Sequence, residues 1–231
     1  MNKDSDMVSF SAAVKETDLC IWARHDLREK TLSAVLRYRG QLERYIRRYP
    51  LFRTALEPFC IQDDAPSIVK AMSLAAKKVS VGPMASVAGA IAEYVGKDLL
   101  AFSPEVVVEN GGDIFLRLER KKMIGIYSGQ SPLNREVSLE IRPEETPMGI
   151  CTSSGMLGHS FSFGRADAVV ALAHSAALAD ASATAIGNQV KEVSDVKKGI
   201  EFSKRIDGLK GVVIIKDDKM EVYGKVRIVA G

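Results

Sequence analysis

Apolar and polar residues alternate with period two over 8–13 and again over 19–23, with a polar turn at 15–18 between them. That pattern predicts a β-hairpin at the start of the chain. The period then becomes helical over 28–49, where Leu32, Val35, Leu36, Leu42, Tyr45, Ile46 and Tyr49 share one face until Pro50 stops the run. Pro66 is placed to open a second helix ending near Lys78. After the Gly82-Pro83 break, residues 84–100 form a third helical stretch, whose Ala85, Ala88, Gly89 and Ala92 are small enough to let another backbone come close.

From Pro104 the pattern is that of strands: 106–108, the tight turn Asn110-Gly111-Gly112-Asp113, 114–118 and 123–127. The polar stretch 128–134 reads as a seam. Beyond it, 136–142 and 149–153 alternate, 160–163 continue the sheet, and 168–173 are an unbroken apolar run. A small-residue helix over 177–188 follows, then a second near 193–204, and a closing hairpin from 211–215 and 220–229 about the Asp217-Asp218 turn. Strands and helices are grouped rather than singly alternating, which predicts an α+β fold with antiparallel sheets covered by helices. Residues 1–130 and 131–231 each read as strands, helices, strands, so one internally duplicated domain is expected. A doubly wound parallel sheet is the alternative.

Composition narrows the function classes. A formal charge of +3 on 231 residues is small, so the chain as a whole is not expected to bind nucleic acid. One exception is local: nine basic residues stand against three acids between Arg24 and Arg53. Such a run is either a solvated helix face or a surface for an acidic partner. Cys20, Cys60 and Cys151 show no metal-site spacing and are expected to stay reduced. The N-terminal sequence does not read as a secretory signal, and no stretch approaches the roughly 18 apolar residues of a membrane span, so a cytoplasmic protein without a membrane partner is expected.

The chemistry centres on the helix over 177–188. Asp180 and Thr184 stand four apart among alanines, which puts both oxygens on one face. A buried carboxylate is costly unless it is paired or coordinates an ion. Two roles are open on spacing alone: a hard cation held by both side chains, or Asp180 tying down a neighbouring segment while Thr184 bonds its own helix backbone.

Four segments in order, GAIAEYVG at 89–96, ENGGDI at 109–114, CTSSGMLGHS at 151–160 and the Asp180 to Thr184 element, resemble the motif series of the ApbE family, the magnesium-dependent FAD:protein FMN transferases. The resemblance covers 84–188 and implies a duplicated T-fold. It implies that Asp180 and Thr184 are catalytic and ligate Mg2+, joined by a main-chain carbonyl at Ala92 or a close neighbour. The activity implied is cleavage of FAD, with FMN passed to a threonine or serine of an acceptor protein and AMP released. A non-catalytic flavin- or nucleotide-binding protein of the same fold is the alternative. Association of sheet edges into a homodimer would fit such a fold.

Within that frame Gly111 and Gly112 would let backbone amides approach the ligand. Asp113 either bonds a ribityl or ribose hydroxyl or shapes its turn. Thr152, Ser153, Ser154 and Gly155 form a polar turn suited to phosphate, or a plain hydroxyl-capped turn. His159 beside it would contact adenine or phosphate, and His174 reads as a core or capping histidine. No Ser/His/Asp order suggests a nucleophilic triad. The chain departs from the ApbE pattern in two places: Glu93 stands where the family has lysine, and 158–168 are too short for the family's HIxDPxTG segment.

Overall fold

The computed structural model describes residues 7–154 and 164–230. In chain order these form β1 (Val8–Val14), β2 (Thr17–Ala23), α1 (Arg28–Arg48), α2 (Leu51–Thr54), α3 (Ser67–Val79), α4 (Val87–Leu99), β3 (Val106–Asn110), β4 (Asp113–Arg117), β5 (Lys122–Gly125), β6 (Val137–Ile141), β7 (Met148–Ser153), β8 (Ala168–Ala173), α5 (Ala176–Gly187), α6 (Val196–Ser203), β9 (Leu209–Lys216), β10 (Lys219–Gly224) and β11 (Ile228–Ala230). Gly155, His159 and the strand expected over 160–163 lie outside the described residues.

Eight strands make one sheet in the order β1-β2-β3-β4-β7-β8-β9-β10, and every neighbouring pair is antiparallel. The fold is therefore α+β, not a parallel doubly wound sheet. Along the sheet, β1–β4 and β7–β10 are each two hairpins, with helices in the connection between them. The helices cover one face, where Ile21, Val108, Phe115, Ala171 and Ile214 meet Val35, Met72, Val95 and Ile186 in one buried core.

The other face is covered as well. A three-stranded sheet, β11-β6-β5, packs over it through Leu139 and Ile141 against Leu116, Ile150, Val170 and Leu172. All six residues of β8 are buried because its two sides face two different cores. The small sheet also explains a departure at the C-terminus. Residues 220–229 do not make one strand: Gly224 turns the chain at φ 83°, β10 stays in the main sheet, and β11 crosses to pair with β6. Helix α1 departs at one position, for Leu36 is 59% exposed while Thr31, Ala34, Val35, Leu42 and Tyr45 face the core.

Candidate active site

Helix α5 enters from Ser175, whose hydroxyl accepts from the Leu178 amide at 3.4 Å. Every residue of α5 is buried except Asp180, which keeps an opening to solvent. The alanines let α5 lie very close to α4. A Cβ added at Gly89 would sit 2.3 Å from the Ala176 carbonyl oxygen and 2.8 Å from Asp180 Cβ, so only glycine fits. Across this contact the Gly89 amide donates to Asp180 Oδ2 at 2.9 Å. Asp180 thus serves the first turn of α4, whose free amides favour a carboxylate.

The sheet supplies a second carboxylate. Asn110 and Asp113 pair across a two-residue turn, where Gly111 and Gly112 have φ of 62° and 99°. These angles are natural only to glycine and give the turn that suits a tight hairpin. Asp113 begins β4 on the helix-facing side, 7% exposed, in register with Cys151. Its Oδ1 is buried with no hydrogen-bond partner.

The electrostatics of the two groups are linked. Burial raises the Asp113 carboxyl to about 7, with the charge of Glu109 adding to it, against the lowering effect of the adjacent Cys151 thiol and of the Thr152 amide. Burial, and then the charge of Asp113, push Asp180 well above the ordinary carboxylate range. The Cys151 thiol, which donates to the Ala176 carbonyl at 3.3 Å, is driven up by burial and by both carboxylates, so it is no nucleophile. Two like charges with an orphaned oxygen between sheet and helix form a place that a cation would relieve.

The other expected residues sort around this pair. Thr184 is buried one helical turn beyond Asp180. Ala92 is buried in α4, a turn beyond Gly89, and Gly89 supplies the backbone group that reaches Asp180. Gly111 and Gly112 have open space where a side chain would be. Together with Thr152 and Ser154 they line a cleft of about 190 Å3 between the two sheets, with Glu109 and Tyr127 also on its wall. Ser153 closes β7, half-buried. The cleft and the carboxylate pair therefore lie on opposite faces of one end of the main sheet, joined by the Gly111-Gly112 turn. His174 is not a core residue; it is exposed.

Comparison with known proteins agrees with this architecture. The profile of the family described as AbpE bacteria matches residues 1–222. The chain belongs to this family. It is 42% identical over 203 residues to the UPF0280 protein of Methanocaldococcus jannaschii, covering 86% of this chain and 82% of that one. It is 39% identical over 213 residues to the UPF0280 protein of Methanocella arvoryzae, covering 92% and 86%. Among solved structures it resembles the apo form of the Pseudomonas stutzeri flavinyl transferase ApbE, with a TM-score of 0.63 at 14% identity over 94% of each chain. The ApbE protein of Thermotoga maritima superposes with a TM-score of 0.59 at 12% identity, covering 93% and 96%. The fold is that of ApbE.

In this member of the AbpE bacteria family, Glu93 has a role that the sequence pattern does not suggest. It lies 5% exposed on α4, facing the start of α5 and not the open cleft. Its Oε2 accepts from Ser175 Oγ at 2.8 Å, the Ala176 amide at 2.7 Å and the Ala177 amide at 3.3 Å, and its Oε1 accepts from Lys97 Nζ at 2.6 Å. A carboxylate is the suitable charge for a helix N-terminus, and lysine would be the wrong one.

The basic helix α1 is answered in part from within the chain. Arg39 pairs with Glu16 at 2.5 Å and Glu43 at 3.1 Å, Arg48 with Asp64 at 3.4 Å, and Arg37 with Asp98. Among the described residues no helix is long and apolar enough to cross a membrane.

Proposed function

We propose that this protein is a flavin transferase-like enzyme that cleaves FAD with a divalent cation, magnesium by preference, and passes FMN to a threonine or serine hydroxyl of an acceptor protein, releasing AMP. The observation that carries the reading is the Asp113 and Asp180 pair, two buried carboxylates beside an open glycine turn, with the charge of Asp113 adding to burial in raising Asp180. The fold of ApbE and the four motifs in order support the same activity.

The residues fit the ion. Among the described residues no three His, Cys, Asp or Glu side chains form a closed cage. Magnesium does not require one, since it is commonly held by one or two carboxylates, with water and substrate phosphate filling the rest of its octahedron. Asp180 would hold it with the Thr184 hydroxyl and a carbonyl of the Ala88 to Ala92 segment, and the free Asp113 oxygen is a further donor. When bound it supplies positive charge for the pyrophosphate. The chain's own groups do the positioning. The Gly111 and Gly112 backbone lies open to a ligand, and Thr152 and Ser154 offer hydroxyls on the wall of the cleft, while Ser153 between them falls on the face of the carboxylate pair. Gly155 and His159 follow them in sequence. The cleft would receive a ring system between the two sheets. Internal duplication of 1–130 and 131–231 accords with the two four-stranded runs of the main sheet.

Incubation with FAD and MgCl2, with and without EDTA, tests the reading. Chromatography should show AMP only where magnesium is free, and mass spectrometry of the acceptor should show an added FMN. Absence of AMP, together with no magnesium-dependent rise in melting temperature, overturns it.

A further inference from the structure

The space between the two sheets opens a second time, at the end remote from the Gly111-Gly112 turn. This cavity measures about 450 Å3, within the range of small-molecule sites. Its floor is apolar, formed by Leu139, Met148 and Leu172, none more than 2% exposed. Leu139 also lines the smaller cleft, so its side chain stands between the two spaces.

Three carboxylates, Glu140, Glu144 and Glu145, share the wall with Lys210, Lys225 and Arg227, but Arg142 takes Glu140 at 2.9 Å and Arg227 takes Glu145 at 2.6 Å, which leaves only the exposed Glu144 against Lys210 and Lys225. Lys210, half-buried, donates to the Glu145 carbonyl oxygen at 2.8 Å. The Glu145 carboxylate itself is taken on both oxygens: Oε1 accepts from Arg227 at 2.6 Å and Oε2 from the Arg142 amide at 2.9 Å. An ammonium has three hydrogens to donate, so Lys210 keeps donors and charge to spare. Burial pushes its amine below the usual lysine range, and the Glu145 charge opposes that shift. Lys225 and His174 line the same cavity, and among the described residues neither side chain has a partner. Gly224, at φ 83°, turns the chain from the main sheet towards the small one and so sets Lys225 opposite the apolar floor.

We propose that this cavity is a second binding site, for an organic anion with a flat apolar body and a carboxylate or phosphate group. The body lies on Leu139, Met148 and Leu172, and the anionic group meets Lys210 and Lys225. The site is independent of the flavin reading, since it shares with the cleft only the wall formed by Leu139.

The probes are 2-naphthoate and 2-naphthyl phosphate, titrated calorimetrically into the full chain at pH 7, with neutral 2-naphthamide as the control. Either anion should bind at least tenfold more tightly than the amide, and the stronger of the two identifies the headgroup. Lys210→Met should weaken the anion at least tenfold and leave the amide unchanged. Leu172→Trp, which fills the floor while keeping Lys210, should abolish binding of both, and circular dichroism of each variant reports folding. The proposal is overturned if neither anion binds at millimolar concentration, if the amide binds as well as the anions, or if binding survives both substitutions in folded protein.

Discussion

Glu93 and Asp180 each hold the start of the other's helix. Glu93 of α4 accepts from the Ala176 amide of α5 at 2.7 Å, and Asp180 of α5 accepts from the Gly89 amide of α4 at 2.9 Å. The two helices are thereby locked in register, and Asp180 is held where Asp113 can act on it. The arrangement gives the departure from the ApbE pattern at Glu93 a structural reason.

Replacing Glu93 with lysine, the residue of the ApbE pattern, should therefore destabilise this protein. It removes three accepted hydrogen bonds at the head of α5 and puts a positive charge against exposed amides, a loss of about 2–4 kcal/mol. Glu93→Gln keeps an acceptor and should cost about 1 kcal/mol. Urea unfolding measures both, and an unchanged midpoint for Glu93→Lys would refute the capping role.

Asp180→Asn separates the two duties of that side chain. The amide oxygen can still accept from Gly89, so the metal-free protein should keep its melting temperature. Magnesium binding by calorimetry should fall at least a hundredfold, and AMP release from FAD should be lost. Thr184→Val, nearly isosteric, should lower magnesium affinity about tenfold with a smaller effect on turnover. Full activity in Asp180→Asn would remove it from the metal site.

Stability should depend on pH with a definite sign. Asp113 has a folded pKa of about 7, above its ordinary value near 4. Such a carboxyl binds its proton more tightly in the folded chain, so its stabilising effect is complete below about pH 4 and is lost as pH rises through about 7. Metal-free protein should accordingly lose on the order of 2 kcal/mol between pH 5 and pH 8 relative to Asp113→Asn. Magnesium should restore more stability at pH 8 than at pH 5.5. Parallel pH profiles for the parent and Asp113→Asn would contradict the assignment.

Two glycines should respond differently to alanine. Gly89→Ala drives a methyl group into the Ala176 carbonyl and Asp180, and should cost about 3 kcal/mol together with the magnesium response. Gly111→Ala meets open space and should cost only about 1 kcal/mol of backbone strain, while weakening flavin binding. Thermal unfolding with and without FAD distinguishes the two; equal costs would refute the close α4–α5 contact at Gly89.

Much of the architecture was legible in the chain because it is local. Period-two runs marked β1 and β2, Pro66 marked the start of α3, and Asn110 to Asp113 announced its hairpin, since each rests on steric rules acting within a few residues. Four ordered motifs pointed to the family, and the spacing of Asp180 and Thr184 singled out α5.

What the chain did not disclose depends on contacts between distant segments. The run at 220–229 carries no mark of leaving one sheet for another, because the switch is made by pairing with β6, about 90 residues earlier. Asp113 read equally well as a turn residue, and only burial against α5 made it the partner of Asp180. Glu93 read as a reversed charge near a site, and only the arrival of the α5 amides made it a cap. Local sequence determined the elements and the residue types capable of the chemistry. Tertiary structure decided which of those residues share a dielectric and a neighbour, and that is where a carboxylate acquires its function.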